Sequence, residues 1–369
     1  MAKIFGQELT KKEMLERLGN ISSLAGITRL DRVGGRADGM HTYEVLNERM
    51  RFTVHADKAM DIGAMYYDGM PLFFLARPGQ MNSLWYSDCE NSPRSISCGM
   101  MFTCGFNNVG PLQNEANGRT LPQHGYLRNC PASLDGARCY WEGDDYFMEL
   151  TGEMREAELF GENLVLRRKI TSKLGEPSVR IQDEIENEGC EDAPLMLMYH
   201  CNAGYPLLDK NSRLVADIIE TACRDKAAED GLTAEELKAF GEPVTGYPEQ
   251  VFYHKLSAHE GKCSAAMTNP DKRVALEITF DNKELPYLIH WKCRDAGNYV
   301  TGIEPSNCHP EGVHKERENG TLRILHPGEA AKTDLRRRRG RDGTLPQPHS
   351  QGPRPACVYI RRGRRGESL

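Results

Sequence analysis

Apolar and polar residues alternate at period two along much of the chain. Phe52, Val54 and Ala56 follow this pattern, as do Tyr146, Met148 and Leu150, then Leu164 and Leu166, Val179 and Ile181, and Leu276, Ile278 and Phe280. Alternation of this kind predicts strands with one buried and one solvated face. Turn signals separate the runs: Asp-Gly at 38–39, 68–69 and 135–136, Asn-Glu-Gly at 187–189 and Asn-Gly at 319–320. Helix signals are few. Thr10 with Glu13 is a capping-box pattern ahead of Met14, Leu15 and Leu18, stopped by Gly19. Thr233 with Glu236 repeats it ahead of Leu237 and Phe240, stopped by Gly241. No repeat of fixed period is present. The pattern predicts an all-β protein, a large antiparallel β-sandwich with a few short peripheral helices.

At 369 residues the chain is long enough for a large core, and its length allows two domains or one large β domain. No run approaches the roughly 20 apolar residues of a membrane span. The opening MAKIFGQELTKKEMLERLG has charged residues where a signal peptide needs an apolar core. A cytoplasmic protein without a membrane partner is expected. The twelve cysteines, scattered from Cys89 to Cys357 with no Cys-x-x-Cys pair, read as reduced, mostly buried, small hydrophobes.

Charge divides the chain. Residues 336–369 hold ten Arg against Asp342 and Glu367, a net +8, so the rest carries −14 within an overall −6. An acidic body argues against nucleic acid as the main partner. The expected division is a sandwich over 1–334 and a basic, disordered extension over 335–369. A reading-frame change after Thr333-Asp334-Leu335 would give the same abrupt switch.

Two stretches rich in Gly, Asn and Pro, 98–127 and 299–312, are candidate binding loops. Five groups could carry chemistry. His200 lies in the apolar segment PLMLMYHCNAGYPLLD, with Asn202 close behind. A histidine so placed is more often a packing group, yet its ordinary pKa suits a general acid. Glu304 follows the strand-like Tyr299–Ile303 and precedes Pro305, as a solvated loop charge or a general base. His124 in LPQHGYL fits a turn or a ligand-facing imidazole. Lys58 and Asp61 in HADKAMDIG fit an ion pair at a strand bend, and Trp291 in YLIHWK fits a core aromatic or a platform for a sugar ring. His309 and His314, near Cys308, match no metal-ligand spacing, so no metal site is expected.

Taken in order, DKAMDIG, FTCGFNNVG, QHGYL, YHCNAGYPLLD, LPYLIHWK, GIEPSN and LHPGE resemble the aldose 1-epimerase (galactose mutarotase-like) family, in its less-characterised branch. The likeness runs from about residue 10 to 334. It implies a single supersandwich with a cleft on one sheet, a small-molecule sugar as partner, and no cofactor. By motif, His200 takes the place of the family's general acid and Glu304 that of its general base. His124 falls where the family has a second, substrate-contacting histidine. The chain departs from the well-studied members at two sugar contacts. An Asn-Arg pair there meets Asn108 and Val109 here, and an Asp-His pair meets His254 with no Asp before it.

The resemblance implies interconversion of the α and β anomers of a free sugar. Two alternatives keep the same scaffold: isomerisation or epimerisation at C2, and carbohydrate binding or sensing without turnover.

Overall fold

The computed structural model describes residues 2–85, 92–231, 237–335 and 358–362. Two large antiparallel sheets carry the fold. Across the first run Ile218–Cys223, Gln250–Leu256, Tyr287–Cys293, Val300–Ser306, Met196–Gly204, Met101–Phe106, Asp61–Tyr67, Met50–His55, His41–Asn47 and Ala25–Asp31, with Met70–Pro71 paired beside Asp61–Tyr67. Across the second run Ser133–Glu142, Asp145–Ala157, Asn163–Lys173, Ser178–Asn187, Val358–Arg362, Val274–Asp281, Lys262–Asn269 and Arg213–Ala216. The expected all-β sandwich is the observed architecture.

One apolar cluster joins the sheets. Phe52, Ile62, Met101, Tyr199 and Ile303 from the first pack with Met148, Leu166, Ile181, Ile278 and Phe280 from the second. A second cluster covers the other face of the first sheet: Phe102, Cys104, Met198, Tyr253 and Ile289, under Val109, Leu121 and Val313. The central strands are therefore buried on both faces, and Met196–Gly204 and Val300–Ser306 are buried at every residue. That double burial explains the continuous apolar run around His200.

A buried charge network ties the sheets together. Arg168 donates from Nε and Nη2 to Asp183 at 2.9 and 2.7 Å, and from Nη1 to the Ala59 carbonyl at 2.9 Å and Asp61 Oδ1 at 3.3 Å. The Tyr199 hydroxyl donates to Asp183 Oδ2 at 2.6 Å. Thr103 donates to Asp61 from both its backbone N–H and its hydroxyl, at 3.0 and 2.7 Å.

The first capping box forms as read: Lys11–Arg17 is helical, with reciprocal bonds between Thr10 and Glu13. The second, at Thr233 and Glu236, lies outside the described residues. A helix at Lys226–Asp230, capped by Asp225, precedes it, and another spans Val313–Asn319. Among the described residues no helix is long and apolar enough to cross a membrane, and the ten described cysteines are free thiols.

Six residues of the expected basic extension, Leu335 and Val358–Arg362, belong to the sandwich. Leu335 pairs with Ile181, and Val358 pairs with Val179, two residues along the same strand. Val358–Arg362 thus continues the strand position begun by Ala330–Leu335, and its other edge pairs with Val274–Glu277. Residues 336–357 and 363–369 lie outside the described residues. A strand of five residues whose partners lie 80 to 180 positions back leaves no local sign of its place.

Candidate active site

The candidate site lies on the face of the first sheet turned away from the second. The register that pairs Met198 with Ser306 and Cys201 with Ile303 sets His200 opposite Glu304. His200 Nε2 stands 3.0 Å from Glu304 Oε1, with the side chains 9% and 2% exposed. The approach is close but not aligned as a hydrogen bond, and His200 Nδ1 has no partner. Catalytic contacts are often slack before substrate binds.

Aromatic rings fix the imidazole. Phe102, the cross-strand neighbour of His200, stacks on it at 4.4 Å, and Trp291 and His124 meet it edge-on at 5.5 and 5.8 Å. The Trp291 indole N–H donates to Glu249 at 3.0 Å, which holds that ring. Gly302 makes room for the carboxylate: a Cβ there would lie 1.9 Å from Glu304 Oε1.

His124 reaches the site from a backbone at φ +61°, and its Nδ1 accepts from the Gly110 N–H at 3.3 Å. Burial, with His200 and Arg128 nearby, holds its pKa well below the ordinary value. Asn202, two residues on from His200 on the same face, donates to the carbonyls of Gly99 and His200, while its buried Oδ1 is unpartnered.

A small pocket, about 30 Å³ in volume, adjoins this group, sharing Phe102 as a wall. His55, Lys58, Asp61, Gln80, Cys98 and Arg128 line it. Lys58 Nζ donates to Asn129 Oδ1 at 3.1 Å. Burial and the Arg128 charge push the Lys58 pKa down to about 8, against the pull of Asp61. Asp61 borders the pocket, but its Oδ1 is engaged by Thr103 and Arg168. Burial pushes its pKa up to about 6, against the effect of Arg168 and Thr103.

Two residues singled out from the sequence lie elsewhere. Asn108 is fully committed to loop structure: Nδ2 donates to the carbonyls of Pro111 and Pro122 at 2.8 and 2.9 Å, and Oδ1 accepts from Val313 N–H at 3.1 Å. His254 alternates with Val251 and Tyr253, which face the site side, so it points to the opposite face. There it meets Thr221 Oγ1 at 2.9 Å and the rings of Phe252 and His290. His309 and His314 sit apart, against Glu316 and Glu115.

Sequence reasoning missed His55, Gln80, Phe102 and Arg128. His55 stands inside the quoted motif HADKAMDIG, Arg128 directly follows LPQHGYL, and Phe102 opens FTCGFNNVG. Arg128 brings a guanidinium to this face, from the turn Leu127–Asn129, where Val109 supplies none.

The buried histidines set an expected pH dependence of stability. Burial pushes the pKa of His55 down to about 3 and of His254 to about 4, and holds those of His124 and His290 well below the ordinary value. Unfolded, each would titrate near 6.5. Below that pH the unfolded chain binds protons that the folded chain refuses, so stability falls as pH drops from 6.5 towards 4. Glu156 acts in the opposite sense, because burial raises its pKa to about 8. Its contribution is present below its unfolded pKa and is lost as pH rises through 8. Asp61 adds a smaller effect of that sign. Melting temperature measured from pH 4.5 to 9 should peak near 6.5. A protein that becomes more stable between pH 6.5 and 4.5 would contradict this.

The sandwich of two large antiparallel sheets is a galactose mutarotase-like fold. Solved structures share it. A candidate aldose 1-epimerase from Klebsiella pneumoniae is 24% identical, covering 84% of this chain and 81% of its own, with a TM-score of 0.78. A galactose mutarotase-like protein from Clostridium acetobutylicum is 13% identical, covering 92% and 100%, at 0.57. A galactose 1-epimerase from Lactobacillus acidophilus is 11% identical, with the same coverage, at 0.58. At these identities the likeness establishes the fold. No curated protein matches the chain. The chain belongs to the family described as "Domain of unknown function (DUF4432)", whose match spans residues 37–338.

Proposed function

We propose that this protein is a sugar mutarotase: it interconverts the α and β anomers of a free aldose by general acid–base catalysis. The observation that carries the reading is the 3.0 Å approach of His200 to Glu304 on a buried, aromatic-walled face. The solved structures of the same fold named for epimerase activity support it.

Opening a pyranose requires a proton delivered to the ring oxygen and one removed from the anomeric hydroxyl. His200, as imidazolium, donates to the ring oxygen while Glu304, as carboxylate, takes the hydroxyl proton. The C1–O5 bond breaks and its electron pair goes to the protonated ring oxygen. The free aldehyde turns about C1–C2. On closure protonated Glu304 returns its proton to the new anomeric oxygen, and neutral His200 takes back the hydroxyl proton. Both groups end as they began, so no redox partner is consumed. Asn202 Oδ1 and the Trp291 face would orient the sugar.

Polarimetry on freshly dissolved α-anomers tests the reading. Faster approach to equilibrium than in protein-free buffer, for at least one aldose, is expected. A new sugar in place of a new anomer ratio would move the reading to C2 chemistry, and binding without either would leave a sugar binder.

Gly302 offers a check on geometry. Gly302→Ala leaves the carboxylate in place chemically but drives its Oε1 from the contact with His200. Turnover should fall by about tenfold or more, the scale expected of a misplaced catalytic group, with the fold retained by circular dichroism. Full activity in this variant would show that the observed Glu304 position is not the working one.

A further inference from the structure

The pocket beside the His200–Glu304 pair holds an ammonium group, that of Lys58, with no carboxylate of the described residues in ion-pair contact. Lys58 is 8% exposed and sits in the bend between Met50–His55 and Asp61–Tyr67. The bond to Asn129 Oδ1 is the sole hydrogen bond of its Nζ among the described residues, and none of their carboxylates lies within 4.0 Å of Nζ. Asp61, which borders the same pocket and attracts Lys58 without an ion-pair contact, has its Oδ1 engaged by Thr103 and Arg168. A second cation, Arg128, lines the pocket and is 2% exposed. His55 is held neutral by burial.

Burying a charge is costly unless it is paired and hydrogen-bonded. Here the body of the protein is strongly acidic, yet this pocket holds a buried lysine with no ion-pair partner among the described residues. A neutral sugar offers hydroxyls, which accept a bond from Lys58 but leave its charge uncompensated. An anionic substituent compensates it and supplies several acceptor oxygens. Phe102, which stacks on His200, and Gly99, whose carbonyl accepts from Asn202 Nδ2, both wall the pocket, so it directly neighbours the His200–Glu304 pair.

We infer that the pocket is a subsite for an anionic substituent, carboxylate or phosphate, of the sugar whose anomeric centre lies at His200 and Glu304, with Lys58 as the residue that selects for it. This inference rests on the mutarotase reading for the place of the anomeric centre. The substrate class is then an acidic aldose, a uronate or a sugar phosphate. Binding would also restore the Lys58 pKa from its lowered value towards that of an ordinary lysine.

Calorimetric titration tests this without turnover. The probes are D-galactose against D-galacturonate, and D-glucose against D-glucose 6-phosphate, with inorganic phosphate alone as a further arm. They are titrated into the full chain and into Lys58→Met and Lys58→Arg. The acidic member of at least one pair should bind about tenfold or more tighter than its neutral parent, the scale of a charge-assisted hydrogen bond. Which pair shows it separates carboxylate from phosphate. In Lys58→Met that ratio should collapse towards one, and in Lys58→Arg it should largely persist. Should Lys58→Met not fold, Lys58→Arg and the salt dependence of the wild-type ratio decide, since the preference should shrink as ionic strength rises. Equal affinity for acidic and neutral members, or a preference that survives Lys58→Met, overturns the inference. Inorganic phosphate binding as tightly as the sugar phosphate also overturns it, since the site would then ignore the sugar. Anomer exchange followed in parallel separates the two readings. An acid preference without exchange would sink the mutarotase reading and keep the subsite, and exchange without preference would do the reverse.

Discussion

Glu304→Gln is expected to slow anomer exchange by about 10²–10⁴-fold, the range for loss of a positioned general base. His200→Gln should cost a similar factor through loss of the acid. Both substitutions nearly preserve shape, and both positions sit in fully buried strands, so the fold should persist. Glu304→Gln in particular removes a buried charge whose Oε1 accepts no aligned hydrogen bond. Its melting temperature should therefore be unchanged or raised, as is common when an active-site charge is neutralised. The double variant should be little slower than either single one, because acid and base act in one transfer and removing either breaks it. Rates from polarimetry, beside melting curves on the same samples, separate lost chemistry from lost structure. A Glu304→Gln protein that keeps wild-type rates would remove the base from the account.

Arg168→Met should be the most destabilising single substitution outside the site, by roughly 3–5 kcal/mol, the usual result of removing one partner from a buried ion network. The guanidinium serves Asp183 through two bonds and also reaches Asp61 and the Ala59 carbonyl. Without it, Asp183 keeps the Tyr199 hydroxyl and Asp61 keeps Thr103, but two buried carboxylates lose their counter-charge. Asp183→Asn combined with Arg168→Met should recover part of the loss, since the orphaned charge goes with it. Urea unfolding midpoints measure both. A loss under about 1 kcal/mol would mean that water or neighbouring groups already compensate these carboxylates.

The network also bears on function. Asp61 spans both regions, bonded into the inter-sheet core while bordering the Lys58 pocket. Loss of Arg168 should therefore disturb the pocket as well as the core.

Much of this molecule can be read from its sequence, and the exceptions have physical causes. Strands of the second sheet show clear alternation because one face is dry and the other wet. Tyr146, Met148 and Leu150 are buried as their spacing predicts. His200 and Glu304 were recognisable from motif order, and the register sets them opposite one another. His254 was misleading because its strand is buried on both faces. Val251, Phe252, Tyr253 and His254 are all buried, so hydrophobicity no longer says which face a residue takes. Only the strand's pairing with Tyr287–Cys293 puts Tyr253 on the site side and His254 away from it. Asn108 carried the right residue type in the right motif, yet all its polar atoms serve the loops that cover the sheet. Arg128 escaped notice because a single turn of 3₁₀ helix has no periodicity to read. Val358–Arg362 escaped because its place depends on partners far back in the chain.

The central claim is that His200 and Glu304 together move the two protons of sugar ring opening. Two-dimensional exchange NMR between the α and β anomeric signals tests it most directly. The sample should contain an aldose panel that includes uronates and sugar phosphates, with wild type, Glu304→Gln and protein-free buffer in parallel. The account predicts exchange cross-peaks for at least one sugar with the wild type, at rates well above buffer, and their loss with Glu304→Gln. Cross-peaks of equal intensity in the wild type and Glu304→Gln, or none above buffer for any sugar in the wild type, would contradict it.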